Sequence, residues 1–221
     1  MIKYNLIRSN RKTLALHIKN GALEARAPLN MPVHEIEEFV RSKESWIAGK
    51  LAMSEENARR REKFSLDYGD MAAYLGKEYP IVAKLGDRVG FDGVRFFIPS
   101  DLTSEQIKSA CIQIYRLLAK SHIARRVRHF AKQMSISPSA VKINSAKTRW
   151  GSCSSEGSLN FSWRLILADS DVVDYVVVHE LAHMIEMNHS PCFWAIVESI
   201  LPDFRHRQAR LKQIRERVLL L

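Results

Sequence analysis

Residues 176–184 read Val176-Val177-Val178-His179-Glu180-Leu181-Ala182-His183-Met184, and the His-Glu-x-x-His at the centre of this stretch governs how the remaining chain is read. Residues four apart on a helix lie on one face, so His179 and His183 can aim two imidazoles at a single ion. Glu180 is rotated roughly 100° further round the axis and falls beside that ion, where its carboxylate can take a proton from a water molecule. The helix has a start signal in Asp169 or Ser170 as N-cap, with Asp171 and Asp174 at the positive end of its dipole. It is apolar nearly all round through Val172, Val173, Val176, Val177, Val178, Leu181, Ala182 and Met184, which makes it a core helix. Charged groups in such a helix need partners, and a metal ion is one.

Open metal sites in enzymes usually take three protein ligands. Glu186 shares the face of His179, but seven residues of helix separate the two by about 10 Å, too far for one ion. His189 follows Met187-Asn188, where the chain leaves the helix; Ser190 and Pro191 then start another as N-cap and first helical residue. A turn there folds His189 back towards the ion, and His189 is the favoured third ligand. Glu198, on that next helix, is the alternative. Cys153 and Cys192 fall in segments near the motif and are read as packing residues before ligands.

Working outward, Val141 to Asn144 reads as a strand leading into Arg149-Trp150-Gly151-Ser152. Ser154 to Gly157 turns the chain, and Leu159 to Leu167 returns as the partner strand. An edge strand here is where an extended peptide would add to the sheet, in which case Trp150, Trp163 and Arg149 border the cleft, although large aromatics on strands are more often core. Before the hairpin, Ile107, Ala110, Cys111, Ile114, Leu117, Leu118, Val127, Phe130, Ala131 and Met134 trace an amphipathic helix capped by Thr103 or Ser104.

Residues 1–100 form an expected N-terminal α/β region. It starts with a small antiparallel meander turning at Asn20-Gly21, followed by one long or two joined helices from Val33 to about Arg61. A second β segment follows, with Pro80 suggesting an edge strand or a strand start and Asp92-Gly93 a hairpin turn. Residues 101–221 are the expected core, closed by a basic helix that starts after Asp203 and ends in Leu219-Leu220-Leu221.

A hydrophobic content of 46% supplies a packed core and excludes disorder. No stretch approaches a membrane span, and the amino terminus has no secretory signature. Three cysteines, an odd number without a C-x-x-C pair, argue against a disulfide framework and for the cytoplasm. A net charge of +10 points to an anionic partner. Two basic runs carry it. Lys108, Arg116, Lys120, Arg125, Arg126, Arg128 and Lys132 form one, and Arg205, Arg207, Arg210, Lys212, Arg215 and Arg217 the other. Either run can grip phosphates of nucleic acid or of a nucleotide.

The segments Thr148-Arg149-Trp150-Gly151-Ser152-Cys153-Ser154, Leu159-Asn160-Phe161 with Trp163-Arg164-Leu165, His179 to His183, and Asn188-His189-Ser190-Pro191-Cys192-Phe193-Trp194 resemble the YgjP-like family of bacterial metal-dependent hydrolases. That family is akin to the SprT-like and WLM zinc peptidases. The resemblance is strongest over residues 141–200. It implies an α+β fold with a zincin-like core, in which helix, antiparallel hairpin and motif helix follow one another. It also implies His179, His183 and His189 as metal ligands. The expected activity is zinc-dependent hydrolysis of a peptide or protein, with Glu180 as general base and Arg149 and Trp150 at the substrate; the sequence does not identify the oxyanion partner, and neither His206 nor Arg149 is singled out for it. Two alternatives accompany it: a nucleoside triphosphate pyrophosphatase using Mg²⁺ or Mn²⁺, and a DNA-associated protease or binding module.

Overall fold

The structure, a computed structural model, describes residues 2–19 and 21–218, with all their side chains except those of Arg61 and of residues 215–218. The expected tail Leu219-Leu220-Leu221 and Asn20 of the first hairpin therefore lie outside the described residues. The chain divides into two compact units, residues 1–64 and 65–221.

In the first unit, strands β1 (Asn5–Ser9), β2 (Ala15–Lys19) and β3 (Ala22–Pro28) precede helices α1 (Val33–Ser42) and α2 (Glu44–Lys63). Leu23, Ala25 and Ala27 point alternately inward from β3 and meet Ile36, Val40 and Ile47 of the two helices. The sheet is not the expected antiparallel meander. Its order is β1-β3-β2, with β2 antiparallel and β1 parallel to β3. Alternation along a sequence marks a strand and its inward face, but carries no record of which neighbour it pairs with or in which direction.

The second unit starts with β4 (Met71–Tyr74), β5 (Lys77–Lys84), β6 (Gly90–Phe91) and β7 (Phe96–Pro99), in the order β4-β5-β7-β6. This sheet, assigned from sequence to the N-terminal region, belongs with the residues that follow it. Phe96 and Ile98 are buried, the Phe96 ring lies 5.4 Å from that of Tyr115, and the Leu75 amide donates to the carbonyl of Ile166 at 2.8 Å. Pro99 to Asp101 is thus a turn, with Asp101 at φ 64°, rather than a boundary between units. Pro80 lies inside an interior strand instead of at an edge. Residues 77–80 of β5 pair with β4 and residues 81–84 with β7, so Pro80 falls at the handover, where its missing donor is not needed.

Helix α3 (Ser104–Gln133) starts at Thr103, which with Gln106 forms a capping box. Its inward stripe runs from Ile107 through Cys111, Ile114, Tyr115 and Ile123 to Phe130. Buried among them, His122 accepts a hydrogen bond from Arg125 on Nδ1 at 3.0 Å, while its Nε2 is buried without a partner among the described residues. Burial, reinforced by the Arg125 charge, holds its pKa below the ordinary range. The folded state therefore keeps this imidazole neutral while the unfolded chain protonates it, and stability should fall as pH drops below about 6.5. Melting temperatures taken between about pH 7.5 and 5.5 should decline less steeply in His122→Gln than in the wild type; equal slopes would remove His122 as a cause.

The remaining elements are β8 (Ala140–Asn144), β9 (Gly151–Cys153), β10 (Ser158–Ser162), a 3₁₀ turn (Trp163–Leu167), α4 (Ser170–Ala182), α5 (Pro191–Ile200) and α6 (Phe204–Val218). β10 is central, parallel to β8 and antiparallel to β9, which leaves β9 at an edge. The returning strand ends at Ser162 rather than at Leu167. From there Trp163, Leu165 and Ile166 are buried, with the Trp163 ring stacked on Tyr115 at 5.7 Å. A continuous apolar run reads the same in a buried strand as in a buried turn. Trp163 consequently belongs to the core and does not border a cleft.

Helix α4 packs against α3, α5, α6, β9 and the 3₁₀ turn, which accounts for its apolar residues on every side. Its first turns are held by ion pairs. Arg126 of α3 reaches Asp174 at 2.6 Å, Arg210 of α6 pairs with both Asp169 and Asp171, and Arg207 donates to the Asp171 carbonyl at 3.1 Å. Part of each basic run is thereby committed inside the unit, while Lys120, Arg128 and Lys132 remain exposed; the side chains of Arg215 and Arg217 lie outside the described residues. No described helix is long and apolar enough to cross a membrane.

Candidate metal centre

His179 lies in the last turn of α4 and His183 at its C-cap, so the four-residue spacing places both imidazoles at the same end of the helix. Beyond His183 the chain turns through Glu186, whose amide donates to the Ala182 carbonyl at 2.9 Å. Ser190 then caps α5 by accepting from the Phe193 amide at 3.3 Å, with Pro191 at its start. This short connection carries His189 back over the motif. One nitrogen from each of His179, His183 and His189 lies within 4.8 Å of the others. Nε2 of His189 is 3.1 Å from Nε2 of His179. Two nitrogens bound to one tetrahedral zinc at about 2.0–2.1 Å would stand roughly 3.3 Å apart, so the spacing suits a shared ion.

Nε2 of His179 is thus the nitrogen that faces the other imidazoles, while its Nδ1 is buried without a partner among the described residues. Burial, helped by the two neighbouring imidazoles, pushes its pKa down to about 4, so the ring is neutral and keeps a lone pair for a metal. His183 is also lowered, by burial first, against the opposing effect of a hydrogen bond from its Nδ1 to the Glu186 carbonyl at 3.3 Å. A proton held on Nδ1 leaves Nε2 of His183 as the metal-facing nitrogen. The Phe193 ring packs on all three histidines at 5.0, 4.6 and 4.8 Å, and Trp194 stacks on His189 at 5.7 Å. Glu198 is exposed on α5 and stands outside the cluster, as do Cys153, whose thiol donates to the Ser154 carbonyl, and the exposed Cys192. Cys111 is buried in the α3 stripe.

Glu180 is only 6% exposed and faces the edge strand. Burial raises its pKa to about 7, against the lowering influence of Arg149. A carboxylate in this range can both accept and return a proton near neutral pH. Gly151 makes room for it: a Cβ there would lie 2.6 Å from the Glu180 Cγ and Oε1.

A cleft of about 340 Å³ opens at this carboxylate. α4 contributes Tyr175, Val176, His179 and Glu180 to its lining, the approach to β9 contributes Arg149, Trp150 and Gly151, and α6 contributes Gln208, Leu211 and Lys212. The structure therefore brings Arg149 and Trp150 to the same cavity as His179 and Glu180. His206 is exposed on α6 and absent from this lining. Sequence reasoning missed the α6 wall, Tyr175 and the ring support from Phe193 and Trp194. Tyr175 carried a usable signal, since it precedes His179 by four residues and so shares its face.

A family model described as YgjP-like, metallopeptidase domain, matches residues 12–214. A comparison with curated proteins finds no match. Among solved structures, the metallopeptidase zymogen abylysin of Pyrococcus abyssi is similar over 41% of this chain and 92% of its own, at 21% identity and a TM-score of 0.39.

Proposed function

Because the chain belongs to the YgjP-like family of metallopeptidases, we propose that it is a zinc-dependent peptidase with His179, His183 and His189 as ligands and Glu180 as general base. The convergence of three imidazole nitrogens within 4.8 Å of one another, beside a buried carboxylate, carries this reading. An all-imidazole donor set favours zinc over a hard cation, which prefers oxygen ligands, and so weighs against the Mg²⁺ or Mn²⁺ nucleotide alternative. When bound, zinc supplies Lewis acidity that lowers the pKa of water and polarises a carbonyl.

The chain's own residues supply the rest. Glu180 takes the proton of the attacking water and returns it to the leaving nitrogen, a cycle that suits a carboxyl group whose pKa lies near 7. The exposed edge of β9 offers backbone groups to an extended substrate, beside the α4 helix against which β9 packs. Trp150 and Arg149 line the same cavity as Glu180. Interaction with nucleic acid through the exposed basic residues of α3 is a separate proposal, and steep salt dependence of binding is its signature.

Elemental analysis tests the site. The wild type should carry one zinc per chain, His189→Ala should lose it, and Glu198→Ala should retain it. Peptide hydrolysis should vanish with a chelator and return with zinc. Full zinc content in His189→Ala, or its loss in Glu198→Ala, would overturn the ligand set.

A further inference from the structure

The cleft contains a single carboxylate, Glu180, and two cations from different walls, Arg149 before β9 and Lys212 on α6. The other described cations of α6 are engaged elsewhere. Arg207 pairs with Asp203, Arg210 with Asp169 and Asp171, and Arg205 lies over the Phe204 ring at 5.4 Å. Lys212 has no partner among the described residues. Arg149 makes no ion pair at contact distance among the described residues; its charge acts on Glu180 by lowering that group's pKa. Apart from Glu180, Arg149 and Lys212 the lining is apolar or uncharged, with Trp150 and Leu211 suited to the aliphatic stem of a substrate side chain. Gln208 is held by its hydrogen bond to the Tyr175 hydroxyl, so the α6 wall is tied to the floor of the cleft.

We propose that Arg149 and Lys212 form a subsite for a carboxylate carried by the substrate close to its scissile bond, making the enzyme selective for acidic peptides. This rests on the peptidase reading and names its substrate class. The carboxylate has two possible sources, an aspartate or glutamate side chain and the free carboxyl terminus of the peptide. Both would meet the same two cations, which line the cavity as exposed side chains, so the attraction is partly screened by solvent.

Lys212 is the cleaner residue to vary, since it is exposed and Arg149 also acts on Glu180. Three peptides separate the sources: one with an internal glutamate and an amidated terminus, one neutral with a free terminus, and one neutral and amidated. With zinc-loaded wild type, kcat/KM should favour one of the acidic peptides over the neutral amidated one by roughly tenfold, the size expected for a partly screened charge pair. Lys212→Ala should bring the ratio towards one, and Lys212→Glu should invert it in favour of a peptide with lysine in place of glutamate. Binding to the Glu180→Gln variant, followed by fluorescence anisotropy of labelled peptides, reports the subsite without turnover and should show the same order. Loss of the preference in Lys212→Glu by either readout supports the subsite; an unchanged ratio in both overturns it. Charge-selective binding without cleavage of any peptide by the wild type would sink the peptidase reading while leaving the subsite in place.

Discussion

Replacing Glu180 with glutamine is expected to lower peptide hydrolysis by roughly 10²–10⁴-fold, the usual contribution of a positioned general base, while zinc content stays at the wild-type level. Glutamine keeps the shape of the side chain and removes its capacity to accept and return a proton. The change should leave the fold intact. Burial already disfavours the charged form of Glu180, raising its pKa to about 7, so an uncharged replacement relieves a desolvation penalty instead of creating one. An unchanged or higher melting temperature, combined with lost turnover, is the expected pattern. Hydrolysis at the wild-type rate in Glu180→Gln would exclude it as the base.

The second large effect is expected at a residue with no functional group. Gly151→Ala should reduce kcat by about 10²-fold, the loss that accompanies misplacement of a catalytic group by around 1 Å. The added Cβ would stand 2.6–2.8 Å from Glu180 Cγ, Oε1 and Cδ, closer than carbon and oxygen atoms tolerate, and the carboxylate would have to swing away. The three atoms nearest that Cβ all belong to Glu180 and none to the proposed ligands, so zinc binding should persist. Gly49→Ala is a suitable control because nothing lies within 4 Å of the position. A Gly151→Ala enzyme with full activity would show that Glu180 reacts from a different position.

The parts of this architecture that were legible from sequence are those encoded by local spacing. The His179 and His183 pair, the Ser190 and Pro191 helix start that returns His189, and the Thr103 cap all follow from residues a few positions apart. The parts that were not legible depend on pairing between distant segments. Nothing near Asn5 to Ser9 announces that β1 will run parallel to β3, and nothing near Pro80 shows that β5 changes neighbours there. The α6 wall was hidden for a related reason. Lys212 looked like one more cation in a basic helix, and only the hydrogen bond of Arg207 and the ion pairs of Arg210 with residues some forty positions earlier turn that helix towards the motif. Glu198 illustrates the converse: its residue type was right for a ligand, but its place on α5 leaves it outside the cluster of three histidines.

The anchoring of α6 on the first turns of α4 has a consequence for how the enzyme should respond to its medium. Arg210 joins Asp169 and Asp171 through side chains that are about a third exposed, 31% on the arginine and 36–37% on the acids. Such pairs weaken as added electrolyte shortens the screening length, to about 3 Å at 1 M. The ligands, on the far end of α4 and the turn beyond it, are tied down by ring packing that electrolyte does not touch. Ionic strength is therefore expected to act on one wall of the cavity and to spare the three histidines, so that the proposed grip on substrate loosens while the proposed metal centre stays assembled.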